Sequence, residues 1–351
     1  MQLKEYKLLE TMLLGSSIER LNQLGSGRRE EDYYHKIDKH IRMIIFTYQK
    51  SRGTTKQYEL PVLFHNKWIQ SIIGTIVVLK KKNRPDIIRT KQFWGAWSGW
   101  IIKILTGAPL VIRCGYIWSK SFEIERSGEW RCGSSLPGLF EKWLINKGDA
   151  YIFSTKEVEE YYLSLVRRPV QSLVIPNAFN LDTFNFDKHT NWDYDYIYVG
   201  RLIELKNVKT MLNIIPKDKD ILVIGSGKLD YEVKKYNNAT LISKVDNYDL
   251  PKYFNKSQCF ISMSKTEGNP KSVYEGIICG AYPILSDIPA HRRIIEELGY
   301  GTLVHNGCDL PDINFCKADH SKLKLFRSKY NMINGVEKEI DFLKMIISKN
   351  N

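Results

Sequence analysis

"CFISMSKTEGNPKSVYEGIICGAYPIL", residues 259–285, contains the strand–helix–strand pattern that decides the fold. Its two ends are short apolar runs, which predict buried strands, and the residues between them predict a helix. Asn269 is suited to the N-cap of that helix, Pro270 to its first helical position, and Gly280 to its end. A strand followed by a helix and a second strand is the unit from which parallel α/β sheets are built.

The same alternation continues along the whole chain. Short runs rich in β-branched and aromatic residues predict strands at 7–14, 41–48, 87–90, 109–113, 150–154, 172–175, 196–199, 221–224, 239–242, 259–263 and 282–285. Amphipathic stretches predict helices at 66–81, 136–147, 156–166, 228–236 and 250–255, and a closing helical segment at 321–349 that Gly335 interrupts. We therefore expect an α/β fold of parallel sheets with crossover helices.

The alternation runs twice, which predicts two domains. The stretch "VIPNAFNLDTFNFDKHTNWDYDYIYVG" (174–200) is rich in Asn, Asp and Pro, as a linker is, and separates the two sets. We predict two doubly wound, Rossmann-like domains, 1–178 and 179–325, that face each other across a cleft. A helical segment at 326–351 is expected to pack back toward the first domain. Ligands of such sheets bind at the carboxyl ends of the strands, so the site is expected there.

Charge is unevenly distributed between the two halves. The net charge is +13, and residues 1–178 hold 28 Lys and Arg against 17 Asp and Glu, whereas the remainder holds 24 against 22. A basic first half favours an anionic partner, such as a membrane surface or a lipid phosphate, and the alternative is a role in solubility. We expect no nucleic-acid partner, because the chain has no recognition motif and no regular interleaving of aromatic and basic residues.

The remaining composition predicts a cytoplasmic location, peripheral on the inner face of the plasma membrane. The charged first residues do not predict a signal peptide. The most apolar stretch, "FWGAWSGWIIKILTGAPLVI" (93–112), is divided by Lys103 and a Thr-Gly-Ala-Pro break into a helix and a strand, each too short to span a bilayer. Six cysteines without a CxxC pair are typical of a reducing compartment.

Glu267 and Glu275 lie on either side of the predicted helix start. Free backbone N–H groups and the helix dipole favour phosphate at that point, whereas carboxylates accept hydrogen bonds from hydroxyl groups. A nucleoside diphosphate sugar, with hydroxyls at both ends and phosphates between them, matches this order. The alternative for an isolated pair is one exposed glutamate and one ordinary helix glutamate.

Two other loops carry weaker signals of the same kind. "YVGRLIELKN" (198–207) places Arg201 and Lys206 after a strand, where cations are suited to a diphosphate leaving group. "VIGSGKLDYE" (223–232) gives a strand, a Gly-x-Gly turn and a helix, which is an incomplete dinucleotide fingerprint. Each alone is also explained by common surface cations or by a tight turn.

Together, these motifs resemble the GT-B glycosyltransferases of the retaining family 4, also described as glycosyl transferases group 1. The E-x7-E motif of that family is matched by Glu267 and Glu275, its GRL…K segment by residues 200–206, and its glycine turn by residues 223–227. "VIPNAFNLDTF" (174–184) is similar to the segment between the family's domains. The motifs occur in order over about residues 174–300.

The first half is less similar to the family. "LGSGRREEDYYHKI" (24–37) resembles its first loop and helix, where glycine lets the backbone approach the diphosphate. "RPDIIRT" (84–90), "GAPLVIRCGYIWS" (107–119) and "GDAYIFSTKEVEEYY" (148–162) resemble its later strands. Where many members carry a histidine, this chain has "RCGY", which begins at Arg113.

The resemblance implies a retaining transfer that needs no metal or other cofactor. The donor would be a nucleotide diphosphate sugar of the UDP or GDP type, and the acceptor a saccharide or a lipid-linked molecule in cell-envelope polysaccharide or glycolipid synthesis. Arg201 and Lys206 would neutralise the departing diphosphate, and Glu267 would act with them on the donor sugar. The other implied donor-binding residues are Glu275 (at the ribose), Gly25, Gly27, Gly200, Gly227, Gly268, Asn269, Pro270, Lys271, Ser272 and Val245.

Two other functions remain open at this point. Two carboxylates could hydrolyse a glycosidic bond if they flanked it about 5–9.5 Å apart. A catalytically inactive GT-B protein could serve as a binding module or scaffold.

The basic first half has a specific use if the acceptor is lipid-linked. "LKKKNRPD" (79–86), with Arg52, Lys56, Arg89 and Lys91, is expected to attract a lipid phosphate or an anionic leaflet. Residues 66–82 form either a basic-ended amphipathic helix or an ordinary crossover helix with a solvated end.

Overall fold

A computed structural model gives the architecture of the chain, in two units. It describes residues 6–23, 27–50, 54–127, 135–186, 192–305, 310, 312 and 317–350. Residue contacts divide the chain into unit 1, which comprises Met1–Pro176 with Ile333–Asn351, and unit 2, Asn177–Met332. The sequence predicted the first boundary after residue 178 and the last after residue 325.

Unit 1 is built on a six-stranded parallel sheet with the order β2-β1-β3-β4-β5-β6. Its strands are β1 Lys7–Thr11, β2 Arg42–Phe46, β3 Ile87–Thr90, β4 Leu110–Cys114, β5 Ala150–Phe153 and β6 Gln171–Val174. Its first helices are α1 Ile18–Gln23, α2 Gly27–Asp38, α3 Lys67–Ile72, α4 Ala96–Thr106, α5 Trp118–Ser127, α6 Leu136–Ile145 and α7 Lys156–Leu165.

Unit 2 is built on a second six-stranded parallel sheet, with the order β12-β11-β10-β7-β8-β9. Its strands are β7 Tyr194–Val199, β8 Ile221–Ile224, β9 Ala239–Ile242, β10 Ser257–Ser262, β11 Tyr282–Ser286 and β12 Thr302–Val304. Its helices are α8 Val208–Ile214, α9 Asp230–Val233, α10 Leu250–Phe254, α11 Lys271–Ile278, α12 Pro289–Leu298 and α13 His320–Lys329. The last helix, α14 Met332–Asn350, packs in unit 1.

Strand β10 shows why the sheet of unit 2 has helices on both faces. Cys259, Phe260 and Ile261 are all fully buried, and successive side chains point to opposite faces of a strand. Phe260 packs in the hydrophobic cluster that includes Ile277 of α11, whereas Ile261 packs in the cluster that includes Met211 of α8. A strand that is apolar on both faces belongs in the middle of a parallel sheet.

The strand order of unit 2 reverses between β7 and β10, which lie side by side with Ile197 opposite Phe260. From β7 the chain builds outward through β8 and β9, and then returns to build β10, β11 and β12 on the other side. Loops that follow the two central strands diverge at such a point and leave a crevice in which ligands of this fold class bind. The expectation of an α/β, doubly wound architecture is confirmed.

Two helix predictions were wrong in detail. The helix predicted at 66–81 is α only over α3 and continues as 3-10 turns at Ile73–Leu79, a stretch rich in β-branched residues that disfavour the α-helix. The break predicted at Gly335 instead lies at Tyr330 and Asn331, and Gly335 is inside α14. There, the N–H of Phe179 donates to Tyr330 O at 2.8 Å, and Phe179 O accepts from Met332 N at 2.9 Å, so these backbone groups leave the helix pattern.

Strand β12 was not predicted from the sequence. Within the described residues, no helix is both long enough and apolar enough to cross a membrane.

Candidate active site

Lys206 and Glu267 form an ion pair at the point where the strand order of unit 2 reverses. Lys206 ends a one-turn 3-10 helix in the loop after β7, and Glu267 lies in the loop after β10. The N–H of Lys265 donates to Leu205 O at 3.0 Å and holds the two loops together. The two charged side chains are only 19% and 12% exposed, so they attract each other more strongly than a pair in open water.

Ser264 holds the Glu267 carboxylate, and Ser286 in turn anchors the backbone of Ser264. Ser264 Oγ donates to Glu267 Oε1 at 2.8 Å, and the backbone oxygen of Ser264 accepts from Ser286 Oγ at 2.6 Å. Ser264 itself is buried. Glu267 is therefore fixed by a cation on one side and by a hydroxyl on the other, which restricts the positions that its carboxylate can take.

His291 completes this chain of contacts from α12. Its Nδ1 lies 2.9 Å from the carbonyl oxygen of Ser286, which can only accept, so Nδ1 carries the proton and Nε2 is the acceptor. Nε2 is buried and has no hydrogen-bond partner among the residues that the structure describes. Burial lowers the pKa of His291 from 6.5 to about 4, so the ring is neutral at physiological pH.

Arg201 begins the loop after β7 and is exposed. Its backbone oxygen accepts a hydrogen bond of 3.0 Å from the hydroxyl of the buried Tyr198, and the N–H of Gly200 donates to Ile224 O at 3.0 Å. The backbone of Arg201 is thus anchored in the same loop that contains Lys206.

Glycines let the loops after β7 and β8 touch through their backbones. Gly225 has a φ of +152°, and a Cβ added there would lie 1.9 Å from Gly200 O. A Cβ on Gly227 would lie 2.2 Å from Leu202 O. The Gly227 N–H also donates to Asp230 Oδ1 at 2.6 Å. The close contacts of Gly225 and Gly227 give this turn a packing role that the sequence motif alone did not reveal.

The start of α11 differs from the prediction. Pro270, not Asn269, is the residue before the helix, and α11 begins at Lys271. Pro270 has an extended ψ of 91°, so it cannot be the first helical residue, and the Asn269 side chain makes no capping bond. Asn269 Oδ1 is instead buried, without a partner within the described residues. Ser272 follows Lys271 in the first helical turn.

Gly268 lies in the loop just before this helix and is exposed. Its carbonyl oxygen accepts from Arg293 Nη2 of α12 at 3.4 Å.

Glu275 lies one turn into α11 and is 3% exposed. Its Oε1 accepts from Asn247 Nδ2 at 3.0 Å, and Asn247 lies in the loop after β9, close to Val245, which packs against the core. Sequence reasoning missed Asn247, because the only signal was a polar residue in a loop after a strand. It also missed Ser264 and His291.

Three buried acceptor atoms around these loops have no partner in the described part of the chain: Asn247 Oδ1, Asn269 Oδ1 and His291 Nε2. They belong to the segments that follow β9, β10 and β11. A buried acceptor without a donor costs about 1–3 kcal/mol. A ligand that carries several hydroxyl groups would satisfy such acceptors.

Four residues of unit 1 that were predicted to bind the donor or an anionic surface can be compared with the structure. Gly25 and Arg52 lie outside the described residues, and Gly27 is the buried first residue of α2. Lys56 is exposed, as expected.

The expectation that Arg89 and Lys91 attract an anionic surface was wrong. Arg89 is fully buried and forms ion pairs with Glu10, which lies opposite it on β1, and with Glu339 of α14. Lys91 pairs with Glu30 of α2, and burial lowers its pKa to about 8. Both cations therefore have protein partners and are not surface charges.

Arg113, at the end of β4, belongs to the same buried group. Its Nη1 donates to Tyr33 Oη at 2.9 Å and lies 3.5 Å from a Glu339 oxygen. The segment in which the family often has a histidine thus begins with a cation that helps to hold α14.

Residues 183–312 match the model of the family described as glycosyl transferases group 1. The match covers a little more than a third of the chain. The loops that contain Lys206, Glu267 and Glu275 all lie inside the matched segment. No curated protein sequence matches the chain.

Solved structures are similar to the chain over nearly its whole length. HepE from Anabaena in complex with UDP-glucose is 14% identical, with a TM-score of 0.70, and the match covers 97% of this chain and 100% of that one. A glycosyltransferase from Rickettsia africae is 16% identical, with a TM-score of 0.68, over 98% and 99% of the two chains. The apo form of the lipopolysaccharide outer core galactosyltransferase WaaB is 14% identical, with a TM-score of 0.66, over 96% and 99%.

These similarities establish the GT-B fold, with two α/β domains, one of which contains the segment that matches the group 1 model. That match supports glycosyl transfer from a nucleotide sugar.

Proposed function

We propose that this protein is a retaining glycosyltransferase that moves a sugar from a nucleotide diphosphate sugar to a saccharide or a lipid-linked acceptor. The proposal includes a metal-independent reaction and a role in cell-envelope polysaccharide or glycolipid synthesis at the inner face of the plasma membrane. The complex of the similar protein HepE with UDP-glucose favours a UDP sugar as the first donor to test.

The ion pair between Lys206 and Glu267 is the observation that carries this proposal. It lies where the strand order reverses, which is the ligand crevice of a doubly wound sheet. A diphosphate arriving there competes with the carboxylate for the ammonium group. Once Lys206 turns toward the phosphate, Glu267 keeps its hydrogen bond from Ser264 and can accept from a sugar hydroxyl.

The cations then stabilise the leaving group. The bond between the sugar C1 and the diphosphate oxygen breaks, and its electron pair leaves on the diphosphate, while the acceptor oxygen bonds to C1 and its proton passes to the departing diphosphate. Negative charge grows on the diphosphate as the bond breaks. Arg201 and Lys206 are suited to stabilise that charge, and such groups contribute about 10²–10³-fold to turnover.

The ribose end of the donor is assigned to Glu275. An ionised carboxylate has about four acceptor positions, so Glu275 can keep its hydrogen bond from Asn247 and still accept from ribose hydroxyls. Asn247 is therefore proposed as the residue that orients Glu275. Gly200, Gly227 and Val245 are proposed to shape the donor pocket, with backbone donors from Gly268 to Ser272 at the phosphate.

A donor screen tests the function. The purified chain is incubated with UDP and GDP sugars and a panel of saccharide acceptors, and released nucleotide is measured. We expect release with at least one donor, and a product whose anomeric configuration, read by NMR, equals that of the donor. Absence of binding to any nucleotide in calorimetric titration would contradict the proposal, and an inverted product would contradict retention.

A matched pair of variants connects the screen to the site. Glu267→Ala is expected to reduce nucleotide release by roughly 10²-fold, since a preorganised polar group at the reacting centre is lost. Glu296→Ala, at an exposed position of α12, should retain wild-type release. Equal release by both variants would remove Glu267 from the site.

A further inference from the structure

The segment formed by α3 and the 3-10 turns after it, residues 67–79, turns an apolar side outward in unit 1. Six large apolar side chains on it are between 42% and 53% exposed: Trp68, Ile69, Ile72, Ile73, Ile76 and Leu79. Their spacing of one, three or four residues places them on one side of a helical segment. We call these six residues the outer face.

The inward side of the same segment buries polar as well as apolar side chains. Gln70 is fully buried, with Oε1 accepting from Leu63 N at 3.1 Å and Nε2 donating to Thr47 O at 3.3 Å. Thr75 is also fully buried and donates its hydroxyl to Ile72 O, and Val77 and Val78 are buried beside it. An ordinary surface helix turns its apolar side to the core, whereas this segment exposes six large apolar side chains and buries hydrogen-bonded polar ones.

Helix α4 packs beside this segment and extends the apolar surface. Ile104 and Leu105, in its last turn, are 65% and 38% exposed. Arg84 Nη2 donates to Thr106 O at 2.8 Å and holds the basic turn after residue 79 against the end of α4. The exposed apolar side chains at the end of α4 therefore lie next to the basic turn after residue 79.

The sequence around the outer face is rich in positive charge. Residues 60–122 contain ten Lys and Arg and a single carboxylate, Asp86. Lys67 precedes Trp68, Lys80 to Lys82 follow Leu79 directly, and all four are exposed. Because Arg89 and Lys91 are neutralised inside the unit, the exposed positive charge next to the outer face comes from Lys67 and from the lysine run.

We propose that the outer face docks on an anionic lipid bilayer. Aliphatic side chains would enter the boundary between headgroups and acyl chains, Trp68 would lie at headgroup level, and Lys80 to Lys82 would contact lipid phosphates. A second copy of the chain is a poorer occupant, since a symmetric contact through the outer face would bring the basic residues of both copies together, and residues 60–122 offer only Asp86 to offset them. This inference rests on the proposed function, because the purpose of docking is to present the active site to a lipid-linked acceptor.

Flotation of the full chain with vesicles tests the docking. We expect flotation with vesicles of phosphatidylcholine and phosphatidylglycerol in equal parts, and at least tenfold less with phosphatidylcholine alone. High salt should weaken binding to the mixed vesicles, because the lysine contacts are screened.

Two triple variants test whether flotation depends on the outer face or on exposed apolar side chains in general. The variant Trp68→Ser, Ile72→Ser, Ile76→Ser is expected to lose at least nine-tenths of the floated protein. The matched control is Trp192→Ser, Leu325→Ser, Ile333→Ser, which removes one tryptophan and two aliphatic side chains of comparable exposure elsewhere, and it should float like the wild type. Lys80→Glu, Lys81→Glu, Lys82→Glu should reduce flotation and its dependence on salt.

The outcomes distinguish docking from the enzymatic proposal. Wild-type flotation by the outer-face variant, or absence of flotation by the wild type, would overturn the docking. Sedimentation without vesicles gives a second test. If the wild type is a dimer and the outer-face variant a monomer, the outer face binds a second copy of the chain, and the docking proposal is overturned. Nucleotide release without vesicles is measured on the same preparations, so failure of the proposed transfer appears there and independently of flotation.

Discussion

Ser264 Oγ donates a hydrogen bond of 2.8 Å to the same carboxylate oxygen of Glu267 that pairs with Lys206. One oxygen atom of Glu267 thus joins the loop after β10 to the loop after β7. The geometry explains how a flexible glutamate is held in a fixed position before any donor arrives.

Ser264→Ala should therefore reduce catalysis without changing the fold. A hydrogen bond to a charged group is worth about 1.5–3 kcal/mol, so we expect kcat/KM to fall by roughly tenfold or more. Ser264→Thr, which retains a hydroxyl, should restore part of the loss. Ser348→Ala, in the exposed end of α14, is the control, and a Ser264→Ala enzyme as active as this control would show that Glu267 needs no such support.

His291 should make stability depend on pH below neutrality. Burial lowers its pKa from 6.5 to about 4 in the folded protein, so between these values the unfolded chain binds a proton that the folded protein does not. Stability should fall as the pH drops through this window, by up to about 3 kcal/mol. Urea unfolding at pH 7 and pH 5 should show the effect in the wild type and less of it in His291→Asn.

His320→Asn, at an exposed histidine, is the matched control and should keep the wild-type dependence on pH. The same slope in the His291→Asn variant and in the wild type would mean that the ring takes up a proton as easily in the folded protein as in the unfolded chain.

Gly225→Ala should destabilise unit 2 strongly. Its φ of +152° is strained for any side chain, and the new Cβ would lie 1.9 Å from Gly200 O. We expect a loss of about 3 kcal/mol or more in the free energy of unfolding, since the loops after β7 and β8 must separate. Gly107→Ala, with a φ of +77° and no atom within 4 Å of the new Cβ, should cost only about 1–2 kcal/mol. Equal losses in urea unfolding would show that the loop contact is not what requires glycine.

Glu339→Gln should loosen α14 from unit 1. Burial alone would raise the pKa of Glu339, yet Arg89 and Arg113 hold it below its ordinary value, so the carboxylate is charged. Removing one charge of a buried pair costs about 3–5 kcal/mol, because Arg89 would keep a buried charge with one partner fewer.

The exposed Glu337→Gln, two residues away on α14, should change the free energy of unfolding by less than about 0.5 kcal/mol. Chemical unfolding measures both variants. A loss in Glu339→Gln as small as that of Glu337→Gln would show that the buried pair contributes nothing to stability.

The sequence predicted the central part of the fold because parallel strands have a strong local signature. Runs such as 221–224 are apolar on both faces, and the structure has Ile221–Ile224 as a strand. Thr302–Val304 was missed because three residues are too few to show a period. The end of α13 was misplaced because its cause is a backbone contact with Phe179, far away in the sequence.

The residues of the candidate site also fall into two groups, those with a local sequence signal and those without one. Lys206, Glu267 and Glu275 belong to local motifs and could be named from the sequence. Asn247 and His291 act through contacts between separate loops, for which a single sequence carries no signal. The roles of all these residues remain proposals, and only their positions are described by the structure.

Arg89, in strand β3, shows a further kind of error. It was predicted to attract a lipid phosphate or an anionic leaflet, which requires an exposed side chain, whereas it is fully buried. Its partner Glu339 lies 250 residues further along the chain, in a helix that joins unit 1 from the other end of the sequence. No local pattern could have revealed that pairing.

Lys206 provides the most direct test of the central claim, that the pair at the strand reversal is where the diphosphate leaves. Nucleotide release is measured with the donor found in the screen, for Lys206→Ala and for Lys209→Ala, a substitution three residues away on α8. We expect Lys206→Ala to lose roughly 10²-fold or more in kcat, while Lys209→Ala retains wild-type turnover. Equal turnover by the two variants, with both folded, would contradict the assignment of the site.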